Sequence, residues 1–423
     1  MTGPTLDLVV GAVAHGGHCV ARHEGRVVFV RHALPGERVR ATVTSGEPGD
    51  PYWRADAVEV LEASPDRVVA PCPYAGPGRC GGCDWQHATP AAQRRLKAAV
   101  VAEQMRRLAG LDVDPEVEEL PGAPQGLGWR TRVTYAVDGA GRPGLRRHRS
   151  HDVVPVEHCL IAHPQVAAVG VERHRWPGAA SVEVVASSGG DRTVVVRPAD
   201  TGARLRLPRL DPEVSVLVDT GDGGLRRVRG RTRVREEGAG RSYRVTGGGF
   251  WQVHPAAADT LVAAVLDGLR PVTGEAAVDL YSGVGLFAGA IAERVGPGGS
   301  VLAVEGDGRA AADARRNLHD LPQVRLVAGR VDRTLRAAGM DPVDLVVLDP
   351  PRTGAGRHVV HEVSRLRPRS VAYVACDPAA LARDVATFGR LGYRLDALRA
   401  LDLFPMTHHV ECVALLAPDA GRP

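Results

Sequence analysis

The sequence predicts an α/β chain in three parts: a small N-terminal β-barrel, a β-rich middle, and a doubly wound parallel sheet at the C-terminal end. Three observations carry this. After Gly247-Gly248-Gly249, short apolar runs alternate with segments of helical length. A glycine-bearing turn follows the first of those runs, where such a sheet places its ligand. The first 64 residues consist instead of short apolar runs punctuated by Gly and Pro. The expected domains are residues 1–64, 65–245 and 246–423.

In chain order, Leu6–Val10, Arg26–Arg31, Val39–Thr44 and Ala55–Leu61 read as barrel strands, with Leu34-Pro-Gly-Glu37 as a turn. Pro71–Gly82, rich in Pro, Gly and Cys, reads as an irregular loop. Pro90–Leu108 has the marks of a helix: Thr89 as N-cap, Pro90 at the first position, and Gly110 beyond the end. Between Arg130 and Val245, runs such as Arg130–Val137 and Ser181–Ala186 alternate apolar and polar residues, which predicts antiparallel sheet. Beyond the glycines, the expected strands are Ala276–Leu280, Val301–Glu305, Val324–Val327, Leu345–Asp349 and Val371–Cys376. Leu286–Val295, Gly308–His319, Arg357–Leu366 and Ala379–Leu391 are the expected helices.

Composition bounds the function. With 44% hydrophobic and 24% charged residues the chain is expected to fold as an ordinary globular protein, not a disordered or fibrous one. It has neither a long apolar run nor a basic leader, so the expectation is a cytoplasmic protein without a membrane partner, its seven cysteines reduced. Residues 246–423 carry 19 Arg against 20 acidic residues, so the excess of 34 basic over 29 acidic residues lies upstream. Lys97 is the sole lysine. A coding bias explains that as well as phosphate binding by Arg does.

Four motifs carry chemistry. Asp279-Leu-Tyr-Ser-Gly283-Val-Gly285-Leu-Phe287 lets a ligand approach backbone amides, and Glu305, ending the next strand, can accept both hydroxyls of a ribose. The glycines alone do not exclude a dinucleotide, but the Asp279 carboxylate would repel a pyrophosphate and attract a sulfonium, which favours S-adenosylmethionine. Leu348-Asp349-Pro-Pro351-Arg-Thr-Gly354 stiffens a loop that holds Asp349 at the cleft, where it can accept from a planar base or simply cap a helix. In Val374-Ala-Cys376-Asp-Pro378, Cys376 ends a strand just before a helix, a place that favours thiolate, although a lone cysteine there is more often core. Phe404-Pro-Met-Thr-His408-His-Val-Glu411 starts a last apolar strand with a potential base, Glu411.

Taken together these motifs, with Phe250-Trp-Gln252-Val before the sheet, resemble the RNA uracil-C5 methyltransferase family over nearly the whole chain. The resemblance implies a class I S-adenosylmethionine-dependent methyltransferase domain (Rossmann-like), with Cys376 as nucleophile and Glu411 as base. Gln252, Tyr281, Glu305 and Asp349 would line the S-adenosylmethionine site. The N-terminal barrel resembles the RNA-binding TRAM module, and the helix Pro90–Leu108 is expected to pack on the catalytic sheet. Cys72, Cys80, Cys83 and Cys159 fit a four-iron, four-sulfur (4Fe-4S) cluster by resemblance, whereas their spacing alone leaves zinc open. Cys19 and Cys412 are expected to be buried. The chain departs from the family at Asp377, where asparagine is usual, and at Leu286, where asparagine is common.

The implied reaction is methylation of C5 of a uridine through a covalent Cys376–C6 adduct. Because both a face and an edge of the base must be reached, the substrate is expected to be unstacked RNA, ribosomal rather than transfer RNA, with no obligate protein partner. Asp349 would also hold the uracil edge. Trp129-Arg130-Thr-Arg132 and Arg146-Arg-His-Arg149 are the candidate RNA contacts, against a plainly solvated arginine face. Two other readings compete: an N-methyltransferase, with no use for Cys376 and Glu411, and a non-catalytic RNA-binding protein.

Overall fold

A computed structural model describes residues 3–221, 223–337 and 342–419. Thr5–Ala14, His18–His23, Arg26–Arg31, Arg38–Ser45 and Tyr52–Glu62 close into a five-stranded barrel. Its alternating inward residues, among them Leu8, Val28, Val30 and Val39, form its core. Closure leaves no exposed sheet edge.

A seven-stranded sheet spans Arg132–Val137 to Leu225–Arg229. It is mixed rather than purely antiparallel, because Thr193–Val196 pairs in parallel with Ser215–Val218. Strand alternation reports a half-buried face and is blind to direction, which the long connection between those strands allows to be parallel.

The catalytic sheet has eight strands in the order Val324–Ala328, Ser300–Glu305, Ala276–Leu280, Leu345–Leu348, Ser370–Ala375, Glu411–Pro418, Tyr393–Leu401 and Val117–Glu118. The first five are mutually parallel, and Glu411–Pro418 enters antiparallel beside Ser370–Ala375. Helices cover both faces. Asp307 and Asp377 cap Gly308–Asn317 and Pro378–Arg390 by accepting backbone N–H bonds.

Two segments from before residue 246 complete this core. Val234, Tyr243 and Val245 of the hairpin Arg233–Thr246 pack with the helix Ala257–Leu269 on one face. On the other, Val101 and Met105 at the end of the helix Pro90–Gln104 pack with Val278, Val346 and Phe388. Thr89 caps that helix through Ala92 N, and Gly110, with φ of 69°, ends the π turn Met105–Ala109 that continues it. Among the described residues no helix is long and apolar enough to cross a membrane.

Candidate active site

The site is assembled at the carboxyl ends of the catalytic strands. After Ala276–Leu280 the chain turns through Tyr281, Gly283 and Gly285, all with positive φ, into the helix Leu286–Val295. A side chain at Gly285 would collide with Leu318 at 2.7 Å, whereas Gly283 faces open space. Glu305 braces the turn: its Oε2 accepts from Gly283 N at 2.7 Å and its Oε1 from Asp307 N at 2.6 Å. Tyr281 lies half-buried beside it, and Gln252, also half-buried, follows the buried Trp251.

Asp279 departs from expectation. It is fully buried beneath the turn, one oxygen accepting from Ala288 N at 2.8 Å and the other without a partner. Burial pushes its carboxyl well above the usual range, which disfavours the bare charge expected to attract a sulfonium. The orphaned Asp279 Oδ1 and Ser282 Oγ, under a turn with room at Gly283, fit a polar nucleoside seated against this backbone.

The candidate nucleophile and base are brought together. Ala375 pairs with Cys412 across the antiparallel strands, and this register sets Glu411 opposite Cys376, on the same side of the sheet. Asp349, just beyond Leu348 on the adjacent strand, joins them. Glu411 is buried and its carboxyl lies well above the usual range, through burial and then repulsion from Asp349. Burial pushes Asp349 up to about 7. Cys376 is pushed up to about 11 by burial, then Glu411, with Asp349 and Asp377 adding to it and Arg352 opposing. The helix start therefore does not produce a thiolate in the ligand-free pocket: three neighbouring carboxyl groups and desolvation outweigh it.

The surrounding loops are tied down. Asp384 Oδ2 accepts from Ala355 N, Gly356 N and Tyr373 Oη at 2.9, 3.1 and 2.7 Å, which fixes the end of the Asp349–Gly354 loop. Asp84 accepts from His408 N at 3.2 Å and lies 2.6 Å from its Nδ1, while Lys97, completely buried, pairs with Asp402 and donates to Phe404 O at 3.0 Å. Sequence reasoning missed these supports. One signal was available: the single lysine of an arginine-rich chain lies where a thin, apolar stem must reach a buried carboxylate.

Cys72, Cys80, Cys83 and Cys159 line one mainly apolar cavity of about 50 Å³ with Tyr74 and Gln86. Cys80 Sγ accepts from Gly82 N at 3.4 Å, and the Cys159 thiol accepts from Ile161 and Ala162 amides. Among the described residues, no group of three or more His, Cys, Asp or Glu is gathered closely enough to hold a metal ion. Cys19 and Cys412 are buried in their cores.

The RNA-contact candidates divide. Trp129 and Arg132 are internal, Arg132 paired with Glu236 at 3.0 Å, so they hold the domains and do not meet a ligand. Arg147, His148 and Arg149 instead line an open cavity of about 400 Å³ between the barrel and the central sheet, together with Arg31, Arg54 and Arg79. His18, buried at its wall, has an unpartnered Nε2. Burial and the facing Arg54 and Arg31 push Arg149 below its ordinary range, whereas Arg147 and Arg31 are paired with Asp152 and Asp84, and Asp56 also lines the cavity.

Comparison with known proteins agrees with this architecture. A TRAM domain model matches residues 1–57, and a tRNA (Uracil-5-)-methyltransferase model matches residues 334–418. An RNA methyltransferase of Streptomyces avermitilis, itself described as uncharacterized, is 58% identical over 99% of each chain. The 23S rRNA (uracil(1939)-C(5))-methyltransferase RlmD of a Shewanella strain is 32% identical over 95% of this chain and 93% of its own. A solved structure, the Pyrococcus abyssi tRNA (uracil-54, C5)-methyltransferase with S-adenosyl-L-homocysteine, shares the fold at a TM-score of 0.70 and 24% identity, covering 97% of this chain and 99% of that one.

Proposed function

The chain belongs to the RNA uracil-C5 methyltransferase family, and from that premise we propose that it methylates one uridine of ribosomal RNA through a covalent adduct between Cys376 and C6. The observation that carries this reading is the register that opposes Cys376 to Glu411 with Asp349 beside them. A thiol facing a carboxyl group has no task in N-methylation or in passive RNA binding.

Carbon 5 of uracil is too weak a nucleophile to take a methyl group directly. Cys376, as thiolate, bonds to C6 and drives an electron pair to C5 as an enolate, whose far oxygen Asp349 can hold by donating its proton. S-adenosylmethionine supplies the sulfonium methyl, which C5 takes as the neutral thioether departs. Glu411 then removes the C5 proton, the C5–C6 double bond reforms and Cys376 leaves as thiolate. Free of ligand, burial raises the Cys376 thiol and the Glu411 carboxyl, and a bound cation beside them shifts both toward the charged forms the reaction uses, while Asp349, raised to about 7, can keep the proton it offers to the enolate oxygen. Glu305, Tyr281 and Gln252 would seat the nucleoside and methionine parts of the donor.

The target base must leave its stack to reach this cleft, and the arginine-lined cavity supplies the phosphate contacts that hold its strand. Ribosomal RNA is favoured by the Shewanella relative. The three-part architecture is no argument for it, because a transfer-RNA enzyme shares that fold. Cys72, Cys80, Cys83 and Cys159 would hold a 4Fe-4S cluster, supported by the meeting of all four thiols on one cavity with backbone N–H groups on two sulfurs. It would cross-link the loop 72–83 to the segment around Cys159. Iron and acid-labile sulfide in anaerobically purified protein test this, and zinc in their place would refute it. We place the enzyme in the cytoplasm with its RNA.

RNA containing 5-fluorouridine is the decisive probe, since fluorine cannot leave as a proton does and the adduct is trapped. A protein–RNA conjugate mapping to Cys376 is expected, and the absence of any conjugate would remove the covalent mechanism. Mass-spectrometric mapping of 5-methyluridine in cells with and without the protein identifies the RNA.

A further inference from the structure

We infer that His15, in the turn between the first two barrel strands, is a positioning residue for the nucleophile: it grips Asp377, and through it the loop that carries Cys376. This rests on reading Cys376 as the nucleophile. The His15 ring Nε2 lies 3.0 Å from Asp377 Oδ2, while Asp377 Oδ1 accepts from Ala380 N at 2.7 Å. Both oxygens of the carboxylate next to the thiol are therefore occupied, one by the barrel and one by the helix cap.

The turn is built to stay there. Gly17 O accepts from Trp85 Nε1 at 3.1 Å, and a side chain at Gly17 would meet His408 Cβ at 2.7 Å, so only glycine lets the turn lie this close to the Phe404–Glu411 segment. Asp84 makes a second tie, lying 2.6 Å from His408 Nδ1 and accepting from barrel residue Arg31 at 3.4 Å. The two ties flank the chemistry: one falls immediately after Cys376, the other three residues before Glu411. The barrel thus forms part of the active-site wall.

The consequence is electrostatic as well as steric. Burial, then Glu411, Asp349 and Asp377, oppose ionisation of Cys376, with Arg352 against them; burial raises Asp377, and the His15 hydrogen bond, the Ala380 amide and Arg383 outweigh it. A carboxylate held at both oxygens and turned into its helix cap opposes a thiolate less than one free to swing toward it.

The test is alkylation of Cys376 by iodoacetamide in the absence of RNA, followed by peptide mass mapping because the chain has seven cysteines. His15→Ala is expected to slow alkylation about three- to fivefold, the scale of a partly exposed ion pair. His15→Gln, which keeps a donor, should stay within about twofold of the native rate. Asp377→Asn keeps the cap without the charge, so in that background His15→Ala should have no effect. The kcat for methyl transfer should follow the same ranking, with KM for S-adenosylmethionine unchanged. Equal alkylation of native and His15→Ala proteins, or an undiminished His15→Ala effect beside Asp377→Asn, would overturn the inference. Failure of the fluorouridine adduct in the native enzyme would instead remove the nucleophile assignment, while the alkylation comparison still decides the clasp.

Discussion

The molecule has two polar hollows of opposite character. At the ends of the C-terminal sheet's strands, Asp279 and Glu411 lie buried and Asp349 half-buried, all three raised above their ordinary range, with a single arginine, Arg352, acting on Cys376. Between the barrel and the central sheet, five arginines line an open cavity. A buried set of raised carboxyl groups carries no positive charge to draw in a polyanion. An open arginine cavity attracts RNA but has no group matched to making or breaking a bond at neutral pH. On the proposed function, the difference teaches that holding the strand and transforming the base fall to separate regions, tied together by the barrel turn at His15 and by Asp84.

Four variants break or sharpen this division. The largest effect is expected from Cys376→Ala, which should lower kcat at least about a thousandfold and abolish the fluorouridine conjugate while RNA affinity, measured by filter binding, stays near native. Residual turnover near the native level would mean that the carboxyl-rich hollow is not the reaction centre. Next, Glu411→Gln should cut turnover by about 10²–10⁴ but leave methyl transfer to C5 possible, so that a methylated adduct accumulates on Cys376, visible by denaturing gel. Rapid release of product from that variant would assign the base elsewhere.

In the arginine hollow the effect should be smaller and of another kind. Arg147→Ala with Arg149→Ala should weaken RNA binding about tenfold and make the salt dependence shallower by about 1.4 in slope, for two single-strand phosphate contacts, with kcat at saturating RNA unchanged. An unchanged slope would show that this surface is merely solvated. Smallest is the stability effect of Asp349→Asn. The Asp349 carboxyl is raised to about 7 in the folded chain, so its stabilising contribution is complete below the unfolded value of about 4 and is lost as pH rises through 7. The ligand-free native protein should therefore melt lower at pH 8 than at pH 5, and Asp349→Asn should raise Tm at pH 8 by about 2–4 °C. A variant that melts lower at pH 8 would contradict the burial of an ionised carboxylate there.

Much of the catalytic half was legible because its signals are local. The strand ends that carry Glu305, Asp349 and Cys376 follow from apolar runs closed by turn residues, and the capping of the helix after Cys376 is written in Asp377-Pro378. The role of Arg132 was not legible. Beside Arg130 on an alternating strand it reads as a surface cation, and only the approach of Glu236, more than a hundred residues away in sequence, makes it an internal pair. The state of Cys376 was misread for the same reason, because the helix start is a local signal and the opposing carboxyl groups are not.

By itself, then, the sequence determined the parallel strands of the C-terminal sheet and four of its helices, the glycine turn, and which polar side chains stand at strand ends, since each depends on residues within a turn or two of chain; the helix Ala257–Leu269 and the strand Tyr393–Leu401 went unread. Tertiary structure decided what those side chains are. The antiparallel entry of Glu411–Pro418 sets its carboxyl opposite the thiol, burial raises both, and the folding-back of the barrel brings His15 to Asp377 across more than 360 residues. Proton affinity depends on the total field and on the water excluded around a group, and both are summed over the parts of the chain that meet only in the folded molecule.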